Sequence, residues 1–337
     1  MSAITHDSAA RNLGGFGLAF VSAVSFALSG PLARGLLDAG WSPAAAVAVR
    51  VLIGGLALAP LAVVALRGRW PVLRRSVPLL LLYGAVPVAG TQFAYFTAIR
   101  YLPVGIALLV EFTSPIAVVV WMWLRHAQRP TALTVGGAVL GMAGLVLVLD
   151  IGAGQVSGIG VAWALLAMAG GATYFVLSAH ADDALPGVVL AAGALLVGGL
   201  ALLLAGVVGL LPFTTTAADV TLGGATMPWW VPTVTLGLVT AALSYATGIG
   251  AARRLGARLA SFCGLTELVA TLVLAWLLLS EVPRPVQIVG AALVLAGVAT
   301  VKLGERSASV AAPLGSAEGE ELTSKEARAG RPAGAAP

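Results

Sequence analysis

Charge is scarce in this chain: Asp, Glu, Lys and Arg make up 10% of its 337 residues, where soluble domains carry roughly 25%. With a mean hydropathy of +0.99, a water-soluble globular fold is excluded. Cysteine occurs once, at Cys263, so an intrachain disulfide and a multi-cysteine metal motif are both excluded. The three histidines, His6, His126 and His180, fall in the N-terminal segment or at the ends of apolar runs. No intramembrane metal ligand or catalytic base is expected from them, and no cofactor. An intramembrane hydrolase would need a Ser–His or paired-Asp constellation at depth, and neither is placed for it.

What is present is a series of long apolar runs. Asn12 to Ala33, Ser76 to Ile99 and Pro130 to Leu149 are uncharged, and each reaches the roughly 20 residues a helix needs to cross ~30 Å of hydrocarbon. Charges and Pro/Gly clusters punctuate the chain into ten expected helices: 13–33, 43–66, 77–98, 102–124, 131–149, 159–180, 187–211, 229–251, 257–280 and 285–303. The first run continues past Gly30-Pro31 and is followed by further spans, so it is read as a retained helix and not a cleaved signal.

The net charge of +5 and pI near 9.9 do not indicate nucleic acid, because the basic residues sit in short loops and the tail. With a cytoplasmic N-terminus (1–12), the inner loops hold Arg67, Arg69, Arg74, Arg75, Arg125, Arg129, Arg253, Arg254 and Arg258, against Arg34, Arg100 and Arg284 outside. That asymmetry fits the positive-inside rule and a multi-pass protein of the plasma membrane. The turn at 180–186 is its weak point, with Asp182 and Asp183 and no Lys or Arg. From Gly304 the composition turns to Ala, Gly, Ser, Glu, Pro and Lys, too poor in large apolar residues to fold. Residues 304–337 are expected to form a disordered cytoplasmic tail.

The chain also repeats itself. Ala98–Leu149 aligns without a gap on Ala251–Lys302 at a constant offset of 153 residues, pairing Arg100 with Arg253, Thr113 with Thr266, Trp123 with Trp276, Pro130 with Pro283, Gly137 with Gly290 and Gly144 with Gly297. Earlier in each half, Ile53-Gly-Gly-Leu-Ala-Leu58 echoes Val197-Gly-Gly-Leu-Ala-Leu202. The halves are 13–149 and 159–303. Five helices per half is an odd number, so the second copy enters the membrane from the opposite side. The expected fold is therefore all-α, with ten transmembrane helices in two inverted five-helix repeats, an arrangement characteristic of secondary transporters.

The run Tyr101-Leu-Pro-Val-Gly-Ile-Ala-Leu-Leu-Val-Glu-Phe-Thr-Ser-Pro115 resembles the fourth-helix pattern of EamA-type carriers in the drug/metabolite transporter superfamily. Arg254 to Pro283, with Thr266-Glu267 at its centre and Ser280-Glu281-Val282-Pro283 at its end, resembles their ninth-helix pattern. Within that group the fourth-helix run is most similar to threonine and homoserine exporters. The resemblance implies a carrier of amino acids or other small metabolites, proton-linked or facilitated. The chain departs from the pattern at Gln128-Arg129-Pro130, which stands opposite Glu281-Val282-Pro283 and puts a symmetric role for that carboxylate in doubt.

Only Arg50, Glu111 and Glu267 lie deep in expected spans. A charge at the bilayer centre costs about 2.5–3.5 kcal/mol on insertion scales, so the three must pair, face water or, for the acids, carry a proton. Glu111 follows Leu102 by nine residues and Glu267 follows Ala257 by ten, which at ~1.5 Å per residue puts both near mid-depth. Both are expected to line a central cavity, as proton-exchange candidates. A zwitterionic solute would meet Arg50 with its carboxylate and Glu111 or Glu267 with its amine. Thr113, Ser114, Thr266, Gln92 and Tyr95 are the expected hydrogen-bonding neighbours, with Pro115 kinking the helix. The alternative role for Arg50 and Glu111 is a permanent ion pair. Thr91, Trp163, Tyr174, Ser244 and Tyr245 are further lining candidates, with helix–helix bonding the plainer role for each.

Among other readings, drug or other metabolite efflux is the main rival to amino-acid export. Yet the superfamily's small multidrug carriers use a glutamate in helix one, where this chain has no acid. Composition does not separate a carrier from a channel; the duplicated halves favour the carrier. Gly137, Gly141 and Gly144 allow close helix approach, inside the chain or against a second copy, which leaves a homodimer open. Small-molecule solute and lipid bilayer are the expected partners.

Overall fold

The computed structural model describes residues 2–98, 101, 107, 110–127, 129–149, 157–180, 185–222, 224–279 and 284–311. Among these residues the architecture is helical apart from one short hairpin. In chain order the helices are α1 (Ser2–Ala27), α2 (Ser29–Asp38), α3 (Pro43–Ala65), α4 (Trp70–Tyr83) and α5 (Thr91–Ala98). They continue with α6 (Ser114–His126), α7 (Ala132–Leu149), α8 (Gly158–His180), α9 (Gly187–Val207), α10 (Trp230–Thr235), α11 (Ser244–Gly264), α12 (Thr266–Leu279) and α13 (Pro285–Ala311). Strands β1 (Val220–Leu222) and β2 (Ala225–Met227) pair antiparallel between α9 and α10.

Among the described residues, seven helices are long and apolar enough to cross a membrane: Leu13–Asp38, Pro43–Ala65, Trp70–Tyr95, Gly158–Ala179, Gly187–Val207, Trp230–Gly264 and Pro285–Gly304. Ser114–Arg125 and Ala132–Leu147 are apolar but shorter. Three of the ten expected spans are not counted among these seven; the fifth, Ala132–Leu147, is one of the shorter helices. Residues 102–106, which should begin the fourth span, lie outside the described residues. The expected eighth and ninth helices run on from each other, separated at Gly256, whose φ of 77° and ψ of 163° are not helical.

Several boundaries also move. Pro71 stands in the first turn of α4, where its missing N–H costs nothing, so this helix starts before Arg74 and Arg75. Residues 2–12, expected as a tail, belong to α1; Ser2–Asn12 contains no Gly or Pro to stop a helix growing from the apolar span. Likewise α13 continues through residues 304–311, and the next proline is Pro313. The rest of the expected tail, 312–337, lies outside the described residues, as do Gln128, Asp182, Asp183, Ser280 and Glu281–Pro283.

Glycines set how the helices cross. A Cβ added at Gly137 of α7 would lie 2.7 Å from the carbonyl oxygen of Gly297 in α13, and one at Gly144 would lie 2.6 Å from that of Gly290. A rising number on one helix thus meets a falling number on the other, so α7 and α13 are antiparallel. The pair α3 and α9 behaves the same way: Gly55 packs on Leu196, and Gly199 on Leu52 and Val51. The largest buried cluster gathers around α3 and α9 and includes Val47, Val51, Tyr83, Leu190, Leu195, Tyr245 and Ile249. Large apolar side chains such as Leu124, Val139 and Leu204 point outward, as a bilayer-facing surface requires.

Two stretches are π-helical, Gly84–Gly90 between α4 and α5 and Leu236–Leu243 between α10 and α11. Gly84 and Gly237 are 153 residues apart, the offset of the repeat. Each lies against a glycine of the other half: Gly198 approaches the Gly84 carbonyl and Gly54 approaches that of Gly237.

Candidate functional site

One cavity of about 600 Å³ lies among the helices and takes its walls from both repeats. Arg50, Gln92, Tyr95, Glu111, Ser114 and Glu267 all line it. Six of the eight residues expected at a solute site are therefore brought together from α3, α5, the stretch before α6, α6 itself and α12.

Arg50 is 6% exposed and sits on the face of α3 that also presents Ala46 and Val47 to the cavity, one helical turn away. The start of that helix is fixed by Ser42, whose hydroxyl accepts from the Ala45 N–H at 3.3 Å and the Thr214 N–H at 3.0 Å, with Pro43 in the first turn. The guanidinium donates from Nη2 to the Thr240 carbonyl at 2.8 Å, in the second π-helical stretch. Its Cζ stands 5.4 Å from the centroid of the Phe26 ring, within cation–π range. Nε has no hydrogen-bond partner among the described residues.

The two acids occupy matching interruptions in their helices. The chain turns at Phe112-Thr113 before α6, and again at Leu265 between α11 and α12. In each break a threonine hydroxyl donates to the carbonyl three residues back, Thr113 to Val110 and Thr266 to Cys263, both at 2.6 Å. These four residues are repeat counterparts. Glu111 ends one helical segment, and Glu267 lies in the first turn of α12. Glu267 interacts electrostatically with Glu111 and with Arg50, and Tyr95 with both acids. The charge of Arg50 acts on Glu267 and Tyr245.

Thr113 and Thr266 were expected to offer hydroxyls to a solute, and neither lines the cavity; both donate to carbonyls of their own helices. Pro115 sits in the first turn of α6, where no backbone donor is needed. It follows the break and does not cause it, since the second copy breaks alike with Leu268 in the proline's place. Thr91, Tyr174 and Tyr245 line the cavity as anticipated. Ser244 and Trp163 do not. Ser244 donates to the Thr240 carbonyl at 2.6 Å, and Trp163 packs edge-on against Phe93 with centroids 5.6 Å apart.

The sequence reading missed Ser22, Phe26, Phe112, Phe175 and Ser261, which also contribute to the walls. An aromatic or serine inside an apolar run carries no signal of its own. Phe26 could have been found only by knowing that α1 crosses Arg50. Among the described residues no group of His, Cys, Asp or Glu could hold a metal ion.

Discontinuous helices meet buried charges of both signs at a cavity shared by the two halves, features found in membrane transporters of small solutes. The chain belongs to the EamA-like transporter family, which matches it twice, over residues 13–150 and 158–303. Among solved structures, a chain described only as "Crystal structure of protein" superposes with a TM-score of 0.67 at 22% identity, covering 87% of this chain and 98% of its own length. That likeness shows the fold alone. No curated protein sequence matches the chain significantly. The family carries small solutes across membranes, so a small-molecule substrate and membrane lipid are its partners.

Proposed function

We propose that the protein exports a small zwitterionic metabolite, a neutral amino acid, across the plasma membrane by alternating access, with proton exchange at Glu267 or Glu111. The observation that carries this reading is the meeting of Arg50, Glu111 and Glu267, drawn from three separate helices, on one cavity between the repeats. A zwitterion answers both signs at once: its carboxylate is held by the Arg50 guanidinium and its ammonium by Glu267, with Gln92, Tyr95 and Ser114 alongside. An acid in such a cavity exchanges its proton for the arriving ammonium. A purely cationic drug would have to sit beside Arg50 unopposed.

The reading includes ten spans in two inverted repeats with both termini cytoplasmic. Antiparallel packing of α3 on α9 and α7 on α13 supports it, since repeat counterparts then run in opposite directions through the bilayer. The matched breaks near Thr113 and Thr266 support it as well.

Counterflow in proteoliposomes tests the proposal. Vesicles loaded with unlabelled neutral amino acids should take up labelled tracer saturably. Arg50→Ala and Glu267→Gln should each lower that exchange by roughly 30-fold or more, as truncation of one buried charge partner does. Folded protein that exchanges no member of the panel refutes the amino-acid assignment, and linear uptake without saturation refutes the carrier.

A further inference from the structure

We infer that the favoured solute is a zwitterion with a bulky apolar side chain, aromatic above all, and not a small hydroxylated amino acid. This rests on the carrier reading above and goes beyond it by naming the substrate class. Part of the cavity wall is a continuous run of rings from three helices: Phe26 of α1, Tyr245 of α11, then Tyr174 and Phe175 of α8. Neighbouring centroids are 5.4, 5.7 and 5.0 Å apart, and the last two contacts are edge-to-face. The run starts at Arg50, which stands over Phe26. A solute whose carboxylate is held there has its side chain directed along the rings.

Several donors along this wall are already committed. The lining hydroxyls of Ser22, Thr91 and Ser261 donate to the backbone carbonyls of Ser244, Val86 and Arg258. Thr113 and Thr266, which would suit a threonine side chain, are bonded to their own helices. Volume agrees: about 600 Å³ lies within the ~300–1,000 Å³ of sites that enclose drug-sized molecules.

A competition series on the intact, full-length protein in proteoliposomes decides the matter. Labelled phenylalanine serves as tracer, and unlabelled alanine, threonine, leucine, phenylalanine and tryptophan as competitors. Half-inhibitory concentrations should fall roughly 10- to 100-fold from threonine to phenylalanine, the ratio that burial of a large apolar side chain gives. Phe175→Leu and Tyr174→Leu should flatten that ratio, whereas Glu267→Gln should weaken every competitor alike. Threonine competing as well as phenylalanine would overturn this inference and leave the amino-acid carrier standing. Failure of the whole series in folded protein would overturn both.

Discussion

Gly136 and Gly137 are neighbours in α7 with opposite surroundings, and exchanging each for alanine separates two effects that usually arrive together. A Cβ at Gly136 meets nothing within 4 Å, so Gly136→Ala should keep only the gain in helix propensity, about 1 kcal/mol. A Cβ at Gly137 would lie 2.7 Å from the Gly297 carbonyl oxygen and 2.8 Å from the Val301 nitrogen. Both are backbone atoms, which cannot swing aside, so α13 must move. Overpacking of this kind costs typically ~1–3 kcal/mol; set against the same ~1 kcal/mol gain, Gly137→Ala should end up to about 2 kcal/mol destabilised. The two variants should therefore differ by ~1–3 kcal/mol, of which the propensity term cancels. Equilibrium unfolding of the purified protein in detergent, followed by tryptophan emission, measures the difference. Equal stability of the two variants, or a less stable Gly136→Ala, would refute the close crossing of α7 and α13.

Other outcomes are expected from the site and its frame. Gly248→Ala would drive a methyl group into the Tyr174 hydroxyl and to 2.8 Å from Ser22 Oγ, so counterflow should fall at least ~10-fold while a Gly158→Ala control, in open space, keeps its rate. Trp41→Phe removes the indole donor to the Thr216 carbonyl, a 2.9 Å bond that ties the α9–α10 connection to the start of α3; unfolding should show a loss of roughly 0.5–1.5 kcal/mol. In a Cys263→Ala background, a cysteine at Arg69 should react with a membrane-impermeant thiol reagent only in inside-out vesicles, and one at Thr221 of β1 only in intact cells. The reverse pattern would overturn the proposed orientation.

The charged residues were legible in the sequence because a membrane makes charge expensive. Arg50, Glu111 and Glu267 stand out in apolar runs for that reason alone, and all three reach the cavity. The repeat was legible too, and its offset reappears in three dimensions in the paired breaks and paired π-helical stretches. Hydroxyls were not. Thr113 is indistinguishable from a binding residue until its own backbone is seen to take its proton at 2.6 Å, because local back-bonding and solute binding ask for the same residue types. Depth along a helix follows from counting residues, whereas which helices adjoin does not. Pro115 was a visible cause offered for a break that its proline-free counterpart also makes.

The crossing of α7 with α13 has a history written into it. Gly137 meets Gly297, the counterpart of Gly144, and Gly144 meets Gly290, the counterpart of Gly137. Two identical helices packed about a twofold axis make contacts of this self-complementary kind. Either half therefore carries the surface needed to pair with a copy of itself, as separate subunits would. Joined in one chain, the halves no longer have to be alike: Arg50 now stands opposite Ala194, Glu111 opposite Gly264 and Glu267 opposite Ser114. The crossing keeps its self-complementary glycines, while the polar residues that line the cavity differ between the two halves.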